Sequence, residues 1–142
     1  MKAGRWGSQL WDNAIWRLID LRGEQGDHAA EERLLHELLD TREESRVIGR
    51  HNSPYHDDAL LRLGQLHLER DEYQAAYRLF MELWRWETSR LRDEGLLWAA
   101  KTRLEQGRTR DVCRLLERLI KKVPDGAAVR EARQLVGTVG CS

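Results

Sequence analysis

The sequence predicts an all-α chain of helical hairpins stacked in series, about seven helices in all, and three observations carry that expectation. Shifted by 36 residues, the stretch 60–83 falls on 96–119 without a gap and with apolar residues over apolar residues. Within these stretches the apolar positions advance by alternating steps of three and one, as in Leu60, Leu63, Gly64, His67 and Leu68, which fits a helix and not an alternating strand. The two prolines, Pro54 and Pro124, both lie between periodic segments, where each marks a helix boundary. Repeats of this length are stacked supersecondary units, because one unit cannot bury its own apolar face.

Taken in order, the helices are expected at about 9–22, 27–41, 56–70, 73–87, 90–105, 109–122 and 127–137. The first pair is an earlier copy of the repeat, at a shift of 45 from the middle one, with Arg33-Leu34-Leu35 beneath Arg78-Leu79-Phe80. The extra length is the connection from Glu44 to Asp58, the one long irregular segment, of a kind often functional. Gly26, Asp71 and Gly107 fall at the same place in each copy, at the turn between paired helices, where left-handed backbone lets the chain reverse in few residues. Asp27, Ser89 and Asp125 are expected N-caps, since a short side-chain oxygen accepts from the unpaired amides of a first turn. The final helix sets Ala128, Val129, Ala132, Leu135 and Val136 on one face.

The middle copy resembles a tetratricopeptide repeat: Leu60, Leu63, Gly64 and His67 on the first helix, then Ala76, Phe80 and Leu83 on the second. The third copy corresponds through Leu96, Ala99, Ala100, Leu116, Leu119 and Pro124, with two departures, Arg103 standing for an aromatic and Val112 for alanine. The first copy is degenerate; Ile15, Leu18 and Ile19 precede Glu31, Leu35 and Leu38, with Ala30 beside the place of the small residue. The resemblance implies a right-handed α–α superhelix, a TPR-like solenoid. One domain, 1–142, would hold units at about 9–41, 56–87 and 90–122 and a capping helix at about 127–137. Gly64 and Ala76 would then be small where paired helices cross, and Phe80 and Leu83 would fill the space against the next unit.

In this family the first helix of each pair lines the concave side. By that resemblance the groove positions are Trp16, Asp20, Leu61, Gln65, Leu97 and Lys101, with Leu68 and Leu104 further along and Arg17, Arg62 and Trp98 flanking. Leu61 and Gln65 stand where the branch that clamps a terminal carboxylate carries lysine and asparagine, so recognition of that type is not expected. An apolar and aromatic floor edged with arginine suits an amphipathic helix or an extended peptide of a protein partner. The leucines serve equally well as packing between helices. Trp84 and Trp86, two residues apart, cannot share a helix face, and Trp86 is the expected exposed aromatic.

These readings describe a protein-binding adaptor or scaffold with no cofactor, no metal and no catalytic residues. His51, His56, Asp57 and Asp58 form the only dense group of candidate ligands, but their spacing fits no usual zinc motif; the histidines read as solvated loop residues, with Asp57 or Asp58 assisting the N-terminus of the next helix. No Gly-rich phosphate loop or nucleophile–base arrangement is present. Lys plus Arg and Asp plus Glu balance at 24 each, so overall charge draws the chain to neither nucleic acid nor an anionic membrane. Nucleic-acid binding through the Arg-rich third unit stays as an alternative, as does homo-oligomerisation. No apolar run has the length of a membrane span. Cys113, in an apolar stripe, and Cys141, beside Ser142, read as unpaired thiols, which favours a cytoplasmic location, or a periplasmic one if a signal peptide has been removed.

Overall fold

The computed structural model describes the backbone of residues 5–48 and 55–141, and side chains over 13–40 and 55–141. Among the described residues there are seven α-helices and no strand: α1 (Arg5–Glu24), α2 (His28–Ile48), α3 (His56–Glu69), α4 (Tyr73–Arg85), α5 (Arg92–Glu105), α6 (Thr109–Lys122) and α7 (Val129–Val139). The chain divides into two compact units, Met1–Leu63 and Gly64–Ser142, the division falling within α3. In the first unit α1 packs on α2; in the second, α4 packs on α5, α5 on α6 and α6 on α7. The order of consecutive antiparallel neighbours is consistent with a TPR-like solenoid.

Each hairpin turn is closed by the same bonds. Gly26, Asp71 and Gly107 hold φ of 75°, 60° and 73°, the left-handed region expected from their shared place in the repeat. The next residue donates its N–H to the carbonyl five residues back: Asp27 to Arg22 at 2.9 Å, Glu72 to His67 at 2.9 Å, Arg108 to Arg103 at 3.0 Å. This is the Schellman arrangement, which satisfies otherwise unpaired carbonyls at a helix C-terminus. Asp27 also caps α2, its Oδ1 accepting from the Ala30 N–H at 3.2 Å.

The other two expected caps behave differently. Ser89 Oγ accepts from the Leu91 N–H at 3.1 Å, one step before α5, whose N-cap residue is Leu91. Asp125 is exposed and makes no cap; the amide of Ala128, at the N-cap of α7, donates instead to Asp93 Oδ2 on α5 at 2.9 Å. A buried side chain from another helix has taken the role that local sequence assigned to a neighbour.

Burial follows the repeat register. Leu35, Phe80 and Leu116 are equivalent and fully buried, as are Leu38, Leu83 and Leu119. Gly64 and Ala76 are the expected small residues: a Cβ on Gly64 would lie 2.8 Å from the Cδ1 and Cζ of Phe80. Gly95 makes a second close approach, since a Cβ there would meet the Phe80 carbonyl oxygen at 2.8 Å, so α5 lies directly against the α4 backbone. The degenerate first copy shows its cause in Glu31, which stands in the register of Ala76 yet is 2% exposed. Leu18 breaks the register too, at 43% exposure, where its equivalents Leu63 and Ala99 are buried.

The reading of Cys113 and Cys141 as unpaired is corrected: they form a disulfide tying α6 to the residue that follows the αL C-cap Gly140 of α7. A separation of 28 residues hid the pairing, because the two thiols meet only once α7 folds back along α6. The expectation of solvated histidines in the 51–58 segment is corrected for His56, which is fully buried, and Asp57 is 8% exposed. Both belong to the first turn of α3, which packs, while His51 lies outside the described residues.

Candidate partner-binding surface

In the first unit one expected groove residue, Trp16, is anchored to its neighbours. Trp16 on α1 stacks on Tyr55, ring centroids 5.3 Å apart and planes at 8°, and the Tyr55 hydroxyl donates to Asn13 Oδ1 at 2.7 Å. Arg17 and Asp20 are exposed on α1, and Leu61 is partly exposed on α3.

Arg62 serves a purpose the sequence reading did not assign. Its Nε donates to Glu31 Oε2 at 2.5 Å and its Nη2 to Oε1 at 3.1 Å, while His28 Nδ1 lies 3.0 Å from Oε1. Burial alone would raise the Glu31 pKa; the hydrogen bonds and charges of Arg62 and His28 outweigh it and hold the carboxyl below its ordinary value. A two-pronged guanidinium is the side chain that satisfies a buried carboxylate best. Arg62 is therefore the counterion of a polar core.

In the second unit, the α5 positions separate. Leu97 is 1% exposed and packs in the interior. Trp98 is partly exposed: its ring sits 5.9 Å from that of Phe80, and the Lys101 ammonium lies over it at 4.3 Å. Lys101 also forms an ion pair with Glu131 of α7. Glu94, one turn earlier on α5, has its pKa raised, first by burial and then by the charges of Asp93 and Glu131, with Lys101 and a hydrogen bond from Trp98 opposing. Trp98 is thus held between the Phe80 ring and the Lys101 ammonium, so little rotamer entropy remains to be lost on contact with a ligand. Gln65 and Leu68 are partly exposed on α3, and Leu104 is 37% exposed at the end of α5.

The tryptophan pair divides as expected. Trp84 is buried, with the Arg92 guanidinium 4.0 Å from its ring centroid and Arg92 Nε donating to its carbonyl at 3.1 Å; Trp86 is partly exposed. The side chains of Trp6 and Trp11 lie outside the described ones. Among the described residues no group of three His, Cys, Asp or Glu side chains could hold a metal ion, and no helix is long and apolar enough to cross a membrane.

The fold and this site define an all-helical repeat protein of hairpin units. Residues 94–126, covering α5, α6 and the connection that follows, match the family model described as Tetratricopeptide repeat. That repeat is in general a non-catalytic protein-interaction module. No curated protein matches the chain.

Proposed function

We propose that the chain is a non-catalytic adaptor that holds a peptide or amphipathic helix of a partner protein, with Trp98 and Lys101 as the principal contacts in the second unit. The observation that carries this reading is the fixed, partly exposed ring of Trp98. A rigid aromatic with a charged rim is the kind of residue that concentrates binding energy at interfaces. Gln65 on α3 extends the same reading within the second unit, and Trp16, Arg17 and Leu61 are the candidate contacts of the first unit, taken by itself. Arg62 and Leu97 are left out, one committed to Glu31 and the other interior.

The test is selection of peptide binders from a displayed library on the immobilised chain, followed by measurement on Trp98→Ala and Lys101→Ala. Selected peptides should lose about tenfold or more in affinity on Trp98→Ala, the usual size of a hot-spot loss. Undiminished binding overturns the reading.

Self-association is a second reading, favoured by Leu18 and Leu21, which lie three residues apart on α1 at 43% and 45% exposure. Light scattering across a concentration series on the Leu18→Glu and Leu21→Glu variants tests it. The disulfide further supports an oxidising compartment as the place of action, against the cytoplasm expected from unpaired thiols.

A further inference from the structure

The second unit carries a basic cleft on the side of α5 away from Lys101. Arg103 follows Lys101 by two residues, about 200° around the helix. The cleft, about 370 Å³, is walled by Tyr77, Arg78, Met81 and Arg85 of α4 and by Arg103 and Arg108 at the end of α5 and the turn beyond. No aspartate or glutamate lines it. A smaller cleft of about 220 Å³ continues it across α6, sharing Tyr77 and Arg103 and adding Arg114 and Arg118, with Asp111 the one acidic residue on its wall. Asp111 is itself 3.9 Å from Arg108.

Three features make this more than a solvated charged face. The chain as a whole carries no net charge, so a face with six arginines and one carboxylate is segregation of charge and not bulk composition. Arg103 is held in place: its guanidinium lies 3.7 Å from the Tyr77 ring centroid and its Nη1 donates to Gln106 Oε1 at 2.8 Å. Arg78 and Arg85 are exposed, and among the described residues neither forms an ion pair. Forked guanidinium groups around an apolar floor of Tyr77 and Met81 match carboxylates that flank an apolar side chain.

We propose that this cleft binds an acidic peptide segment of a protein partner, with carboxylates on Arg78, Arg85 and Arg103 and an apolar side chain against Met81, beside the edge of the Tyr77 ring. Single-stranded nucleic acid fits less well. Its sequence-independent recognition needs open aromatic faces on which bases stack, and the one aromatic ring here already carries Arg103 on a face. The site stands apart from the Trp98 surface and does not depend on it.

The test is fluorescence anisotropy on the full chain with two probes, a fluorescein-labelled peptide alternating glutamate and leucine and a labelled oligothymidylate. The double variant Arg78→Glu/Arg85→Glu should weaken the peptide by about tenfold or more, whereas Arg130→Glu/Arg133→Glu on exposed positions of α7, with the same change of net charge, should weaken it by less than about twofold. The neutral pair Arg78→Gln/Arg85→Gln should give an intermediate loss, and Trp98→Ala none, which keeps this site distinguishable from the proposed groove. Equal weakening by the α4 and α7 charge reversals overturns the proposal as unspecific attraction. Tighter binding of oligothymidylate, lost in the α4 variants, overturns it in favour of nucleic acid. Absence of peptide binding overturns it outright.

Discussion

Phe80 lies over Gly64 so closely that a single added methyl group would stand within 2.8 Å of three of its ring carbons. The hydrogen on the glycine α-carbon is what allows the fully buried phenyl ring to come this close to the α3 backbone. Gly64→Ala should cost about 1–3 kcal/mol by overpacking, exceeding the gain of less than about 1 kcal/mol that alanine brings to a helix interior. Phe80→Ala alone should cost about 3–5 kcal/mol. Combined, the two should cost less than their sum, and urea denaturation of all four proteins measures that coupling. Strict additivity would mean the ring and the glycine do not meet.

Arg62 and Glu31 are expected to govern acid stability in the first unit. The Glu31 carboxyl is held below its ordinary value, so the stability it contributes is present above the ordinary glutamate range and is lost as pH falls through the depressed value. Arg62→Ala leaves a buried carboxylate with His28 as its remaining partner and should cost about 1–3 kcal/mol at neutral pH. With burial then unopposed by Arg62, the carboxyl titrates higher and the deficit should shrink on acidification. Replacing both, as Glu31→Ala with Arg62→Leu, should recover most of the loss. Melting temperatures across pH for these variants provide the check.

Glu94 has the opposite sign. Its pKa is raised, so the folded state holds its proton more tightly than the unfolded chain, and stability falls as pH rises from the ordinary glutamate value through the raised one. Glu94→Gln should raise the melting temperature at neutral pH and change it little in acid. A larger gain in acid than at neutrality would contradict the assignment of burial and the Asp93 and Glu131 charges as the causes.

The disulfide should be worth about 2–4 kcal/mol, the usual range for a loop of this size. Reduction, or Cys113→Ser with Cys141→Ser, should lower the melting temperature while leaving most helical signal in circular dichroism. Mass spectrometry of the alkylated protein taken directly from cells establishes whether the bond forms there. A free thiol pair in that measurement would return the chain to a reducing compartment.

The helices and turns were legible because they rest on local rules: a step of three or four along a face, a glycine or aspartate at a chain reversal, a proline between segments. Gly64 and Phe80 were legible because the repeat displays each position more than once. Glu31 gave half a signal, an acid in the register of a buried alanine. Its partner Arg62 lies 31 residues away and nothing local points to it. The same distance problem hid the Cys113–Cys141 bond and the Asp93 cap on Ala128. The repeat register puts Trp98 at the flank of the groove and Leu97 at the groove itself. Packing of α5 against its neighbours, which one helix's pattern does not specify, made the first a surface residue and the second an interior one.

The bond from the Ala128 amide to Asp93 has a bearing on the order of assembly. Its two ends are 35 residues apart, and its acceptor sits where α5 presents a buried carboxylate to a helix made later in the chain. On a ribosome, α7 would find its starting point only after the preceding hairpin had closed, so the last helix acts as a latch that engages when everything upstream in its unit is already in position.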